Sequence, residues 1–148
     1  MDSFVRRFIK ASLIWLTVGV SLGLLMVLWP RAIVYRTAHM HANLLGFVSM
    51  MIFGVAYHVL PRFTGRPLHS PKLAALHVWL ANAGLVLMVS GWILRAHVTF
   101  WAPVLGGGAL LAAAGAFTFV SNCWRTLDAA GAIAGAPQPV TIRRPGAS

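Results

Sequence analysis

The sequence predicts an all-α integral membrane protein, a four-helix bundle with antiparallel up-down connectivity, and three observations carry that reading. Of 148 residues, 59% are hydrophobic and only 9% charged, a balance outside the range of soluble domains of this size. Four apolar stretches of about 20 residues, the length that crosses a bilayer's hydrocarbon core, are separated by short polar connectors. The basic residues gather beside alternate connectors, as oriented spanning helices require.

Residues 1–10 form a cytoplasmic basic lead-in. Residues 11–29 hold no charged side chain and predict helix 1, in which Gly19 and Gly23 are spaced to let another helix approach closely. Basic residues ahead of an apolar run imitate a signal peptide, but the run is too long and no Ala-x-Ala site follows, so it reads as a retained anchor. Trp29 and Pro30 supply an aromatic anchor and a helix stop. The short connector from Arg31 to Thr37 makes helices 1 and 2 antiparallel neighbours.

Helix 2 is expected over about 38–60, ending near Pro61. The connector PRFTGRPLHSPK, with three prolines and three basic residues, breaks the pattern before helix 3 at 73–95. The turn from His97 to Phe100 is tight, and helix 4 follows at 99–122. Pro103 falls in its first turn, where the missing N–H is tolerated. These helices make up a transmembrane domain over 11–125. Residues 126–148, rich in Gly, Ala and Pro, predict a flexible cytoplasmic tail.

Twelve Lys and Arg against two acidic residues give a net charge of +10. Nucleic acid would need a basic patch on a soluble fold, whereas these residues flank apolar segments. With the N-terminus inside, the cytoplasmic side receives Arg6, Arg7, Lys10, Arg62, Arg66, Lys72, Arg125, Arg143 and Arg144. The outer side receives Arg31, Arg36 and Arg95. That asymmetry predicts a multi-pass protein of a bacterial-type inner membrane, both termini cytoplasmic, with its positive charge facing anionic membrane lipid. The single Cys123 excludes an intramolecular disulfide.

Six histidines in a chain whose only acids are Asp2 and Asp128 are the candidate functional residues, because intramembrane polar groups are costly and tend to face the bundle interior. His39, His41 and His97 fall near the outer ends of their helices, His58 and His77 near the inner ends. At about 100° per residue, His39, Asn43, Gly46, Met50, Gly54 and Tyr57 share one face of helix 2, while His41 points nearly the other way. In helix 3, His77, Ala81, Gly84, Met88, Gly91 and Arg95 form a narrow stripe. It reads either as a groove for a flat macrocycle or as a seam along which two helices approach closely. Imidazole ligates heme iron, copper and zinc alike. Heme is favoured over structural zinc because no cysteine pair and no intrahelical carboxylate accompany the histidines. Arg36 and Arg95 are suited to pair with heme propionates, or to anchor at the interface.

The run AHMHANLLGFVSMMIFGVAYHVLPRF, residues 38–63, resembles the second transmembrane helix of the catalytic subunit of heme-copper oxidases, especially cbb-type cytochrome c oxidases and nitric oxide reductases. In that family a histidine near the outer end is an axial ligand of the low-spin heme, followed by an asparagine and, at the inner end, an aromatic pair. The counterparts here are the His39/His41 pair, Asn43, and Tyr57 with His58. The His-x-Asn step favours His41 as the ligand, whereas the spacing back from Tyr57 and Arg62 favours His39. The chain looks like the subunit I-like membrane proteins that contain only the opening portion of that fold. The family's second low-spin heme ligand, its high-spin heme ligand and its copper ligands come from helices beyond those present. A second axial ligand would be His77, His97, His58, another subunit or a small molecule.

The resemblance implies a membrane-bound b-type heme protein acting in electron transfer or in binding a diatomic gas such as nitric oxide or oxygen. Metal ligation is expected from His41, His39 and His77, with heme contacts also from His97, His58, Arg36 and Arg95. Without an intramembrane Asp or Glu, a complete oxidase or proton pump is not expected. Two alternatives stand beside it: a cofactor-free accessory or assembly subunit of a respiratory or denitrification complex, and a copper-handling protein using His39, His41 and His97. Homo-oligomerisation is compatible with all three.

Overall fold

The computed structural model describes residues 1–134. They form four long helices, each apolar and long enough to cross a membrane: α1 (Ser3–Leu28), α2 (Pro30–Thr64), α3 (Pro71–Leu94) and α4 (Ala102–Ala134). The chain is a multi-pass, all-α membrane bundle. No strand occurs among the described residues. The proximal end of the bundle holds the N-terminus and the α2–α3 connector, and the distal end holds the α1–α2 and α3–α4 connectors.

The helices run past the bounds that charge and proline suggested. α1 begins at Ser3 because Arg6, Arg7 and Lys10 lie exposed on its first turns, where long cationic side chains reach the interface without breaking the helix. α2 opens on a 3-10 turn, Pro30–Tyr35, and continues through Pro61 to Thr64. Its stop is Gly65, the sole residue at positive φ, 65°, among those described. The left-handed residue lets the N–H of Arg66 return to the carbonyl of Pro61 at 3.1 Å, a C-terminal cap that a side chain at position 65 would strain. α4 extends through Ala134, so the tail expected from residue 126 is helical over its first nine residues. Residues 135–148 of that expectation lie outside the described residues.

α3 begins at a built cap. The Ser70 side chain accepts from the Leu73 N–H at 3.2 Å, with Pro71 in the first turn, both ordinary starting signals. Asn122 of α4 holds Ser70 at two points: its amide donates to the Ser70 carbonyl at 2.9 Å, and its carbonyl oxygen accepts the Ser70 N–H at 2.9 Å. The Thr126 hydroxyl accepts the His69 N–H at 3.0 Å. The proximal connector is thereby tied to α4.

Lipid tails are as apolar as leucine, so these helices associate through close packing and polar contacts rather than exclusion from water. α3 and α4 meet most extensively. A Cβ on Gly84 would lie 2.6 Å from the Ala112 nitrogen and 2.9 Å from the Gly108 carbonyl, and one on Gly91 would meet the Leu105 backbone at 2.9 Å. The small-residue stripe on α3 is therefore filled by the backbone of α4. The groove reading fails, and the close-approach reading describes what is there. α2 packs against α1 with its Gly46 under Trp15 and its Gly54 under Phe8 and Ile9. α2 and α3 occupy the centre, and α1 and α4 flank them.

Candidate functional site

Within α2, residues Ala42–Ser49 are π-helical, and the Ser49 hydroxyl donates to the Leu44 carbonyl five residues back at 2.9 Å. Such segments are rare and recur at functional sites. Leu45 and Ser49 of this wider turn, with Met50, Phe53, His77, Ala81, Leu85, Ala112 and Ala116, line a cavity of about 70 Å³ between α2, α3 and α4. It has room for two waters or one diatomic molecule at about 30 Å³ per water, and is far smaller than the several hundred Å³ that hold a cofactor.

His77 is fully buried. Tyr57 bonds its Nδ1 at 3.1 Å, and the rings of Phe53, Phe8, Phe119 and Tyr57 stand 4.7, 4.8, 5.7 and 5.9 Å from it. Which of the two donates follows the tautomer of the ring. Nε2 is buried without a partner. His77 is thus enclosed by aromatic rings beside a cavity smaller than a planar macrocycle.

The distal histidines stand differently. His39 and His41, about 200° apart around the helix, meet different neighbours. The His39 Nδ1–H donates to the Gly19 carbonyl of α1 at 2.8 Å, and the ring lies over Gly23, where a Cβ would come within 2.9 Å of Cε1. Asn43 donates to the His39 carbonyl at 2.9 Å. His41 turns toward α3, its ring 5.8 Å from that of Trp92 and tilted by 35°, and its Nδ1–H donates to the Thr37 carbonyl at 2.8 Å. In both rings the carbonyl fixes the proton on Nδ1 and leaves Nε2 with its lone pair outward, the state in which imidazole ligates a metal. Both rings are half-buried.

Beside the two groups that His41 touches, Thr37 and Trp92, lies a polar recess of about 230 Å³ lined by Val34, Thr37, Trp92, Arg95 and Ala96, with His41 itself outside its wall. The Arg95 guanidinium stacks between Trp92 and Trp101, 5.5 and 5.3 Å from the two rings. Trp92 Nε1–H is buried without an acceptor. A cation without a carboxylate partner among the described residues and an unsatisfied donor at one place suit a carboxylate or phosphate.

The other expected residues are dispersed. Beyond the end of α3, His97 Nε2 meets the Tyr35 hydroxyl at 2.7 Å, pinning the α3–α4 connector to the opening turn of α2. His58 receives an Arg62 N–H on Nδ1 at 3.1 Å near the proximal end. Arg36 is exposed at the start of the α-helical part of α2. His39, His41 and His97 keep separate partners, and no group of three or more His, Cys, Asp or Glu capable of holding a metal occurs among the described residues. Trp92, Tyr35 and Thr37 were not singled out by the sequence. Asn122 and Thr126, both buried, were likewise missed.

Comparison with known proteins falls on the same segment. Residues 32–96, which include both distal histidines, His77 and Arg95, match the family model for cytochrome C and quinol oxidase polypeptide I. The Cbb3-type cytochrome c oxidase subunit CcoN1 of Stutzerimonas stutzeri is 31% identical over 65% of this chain and 26% of its own length. Cytochrome c oxidase subunit 1 of Rhodobacter capsulatus is 41% identical over 40% of this chain and 12% of its own. The cytochrome c oxidase subunit 1 homolog of Agrobacterium tumefaciens is 40% identical over 36% of this chain and 10% of its own. The matches thus span about a quarter or less of those relatives. The chain is a multi-pass helical membrane protein that over residues 32–96 is similar to subunit I of the cytochrome c and quinol oxidases.

Proposed function

We propose that the chain is a membrane-bound b-type heme protein in which His41 is the axial ligand. The observation that carries this reading is the state of His41: a half-buried imidazole with Nδ1–H bonded to the Thr37 carbonyl and, among the described residues, Nε2 unengaged, near an arginine that stacks on Trp92 and an indole N–H without an acceptor among those residues. These residues fit one face of a heme. His41 would hold the iron, and Arg95, Trp92 Nε1–H and the nearby Arg36 would hold propionates. When bound, the heme supplies one-electron chemistry or a site for a diatomic ligand, according to whether its second axial position is filled.

A recess of about 230 Å³ is smaller than the 300 Å³ or more of an enclosed ligand pocket. The remaining wall therefore comes from another chain, a second copy or a partner subunit of a respiratory or denitrification complex. His39 is the alternative ligand, since its Nε2 is equally free, but its ring is committed to the α1 backbone. We place the protein in a bacterial-type inner membrane with the proximal end and both termini cytoplasmic, on the strength of the basic residues gathered there.

The second reading is a cofactor-free accessory or assembly subunit, favoured by the closed α3–α4 seam and the full aromatic core around His77. The copper-handling reading would need His39, His41 and His97 on one ion, and they face different neighbours. Absorption spectroscopy of detergent-purified protein, expressed with heme supplied, decides among them. The heme reading expects a Soret band that is lost in His41→Ala and kept in His39→Ala. A correctly folded protein that retains no heme, with or without bound copper, would overturn it.

A further inference from the structure

A second recess, remote from the histidines of the distal end, lies between α1 and α3 in the proximal half. It has a volume of about 400 Å³ and is lined by Arg7, Lys10, Ala11, Ile14, Val78, Trp79 and Asn82. The lining follows helical spacing on both sides. Arg7, Lys10, Ala11 and Ile14 are separated by three, one and three residues and share one face of α1, and Val78, Trp79 and Asn82 share one face of α3. Both helices run from the proximal end toward the distal end, so the two cations lie nearer the headgroup edge and Ile14 and Asn82 deeper.

Charge and chemistry in the recess match one class of occupant. The chain's only carboxylate side chains are Asp2 and Asp128, and neither lines it, so Arg7 and Lys10 face it without a counter-ion there. Trp79 is 65% exposed and offers an amphipathic ring at the depth where tryptophan anchors. The Asn82 amide spends one N–H on the Val78 carbonyl at 2.8 Å and keeps a second N–H and its carbonyl oxygen. Below the cations the walls are Ala11, Ile14 and Val78. A cationic rim over an apolar cleft with one amide at intermediate depth is complementary to a phosphate head, an ester linkage and an acyl chain.

We propose that this groove is a binding site for one anionic phospholipid, its phosphate held by Arg7 and Lys10, an ester group by Asn82 and an acyl chain along Ile14 and Val78. The test is native mass spectrometry of the full chain in mild detergent, titrated with phosphatidylglycerol or phosphatidylcholine. Wild type is expected to prefer phosphatidylglycerol by about 25-fold, two cationic contacts at roughly fivefold each. Arg7→Gln/Lys10→Gln, both exposed positions, removes the preference, whereas Arg62→Gln/Arg66→Gln, an equal loss of charge on the nearby connector, retains it. Equal binding of the two lipids by wild type would overturn the proposal. So would an equal loss in the two double variants, which would reduce the preference to net charge, or a stable dimer that excludes lipid from the groove. None of these outcomes depends on heme.

Discussion

His77 and His41 are the same side chain in the same bundle, yet only one of them is available. His77 is fully enclosed, with Tyr57 on Nδ1, four aromatic rings around it and an orphaned Nε2 beside a cavity of about 70 Å³. His41 is half-buried, is oriented by a backbone carbonyl of its own helix and touches Thr37 and Trp92, two walls of a recess that Arg95 also lines. A polar group inside a membrane bundle can therefore serve packing or ligation, and what separates the two is the room in front of the second nitrogen. Histidine count and depth alone do not distinguish them.

The largest expected effect breaks the proximal side of this contrast. His77→Ala leaves a void inside the aromatic enclosure and strands the Tyr57 hydroxyl, so it should cost about 3–5 kcal/mol, read as a lower midpoint in thermal or SDS unfolding of the detergent-solubilised protein. An unchanged midpoint would mean that His77 is not a packing residue. Gly84→Ala comes next, at about 1–3 kcal/mol, because its new methyl meets the α4 backbone, which has no rotamer to give. Gly106→Ala is the matched control: nothing lies within 4 Å of its Cβ position, so the same unfolding assay should show no loss, or a gain of up to ~1 kcal/mol from helix propensity.

Tyr57→Phe removes one buried hydrogen bond and should cost about 1–2 kcal/mol. At the small end, His41→Ala should move the midpoint by no more than about 0.5 kcal/mol, since a half-exposed side chain bonded only to its own helix contributes little. A large destabilisation there would make His41 a second structural histidine and erase the contrast.

Much of this architecture is legible in the sequence because lipid imposes long apolar runs and a charge asymmetry. The shared face of His39, Asn43, Gly46, Met50, Gly54 and Tyr57 follows from 3.6-residue periodicity, and in the structure it packs on α1 and the core. The opposite directions of His39 and His41 follow from the same geometry. The π-helical turn at Ala42–Ser49 was not legible, because a hydrogen bond moved from the fourth to the fifth residue leaves no mark on composition. Nor was the enclosure of His77, which Phe8, Phe53, Tyr57 and Phe119 build from three different helices. The start of α1 was set too late because basic residues were read as ending the helix, when they snorkel from it. The fold of α4 beyond residue 125 was missed because Ala and Gly give no periodic signal, while Thr126 and Asn122, which dock the proximal connector, are common polar residues in an apolar run.

The central claim is that ligand binding belongs to the distal histidine and packing to the proximal one. Heme titration of two variants side by side, followed at the Soret band and normalised to correctly folded protein, tests it most directly. The account predicts that His77→Phe, which keeps the aromatic volume, binds heme like wild type, and that His41→Ala does not. Loss of heme from His77→Phe with retention by His41→Ala would contradict it.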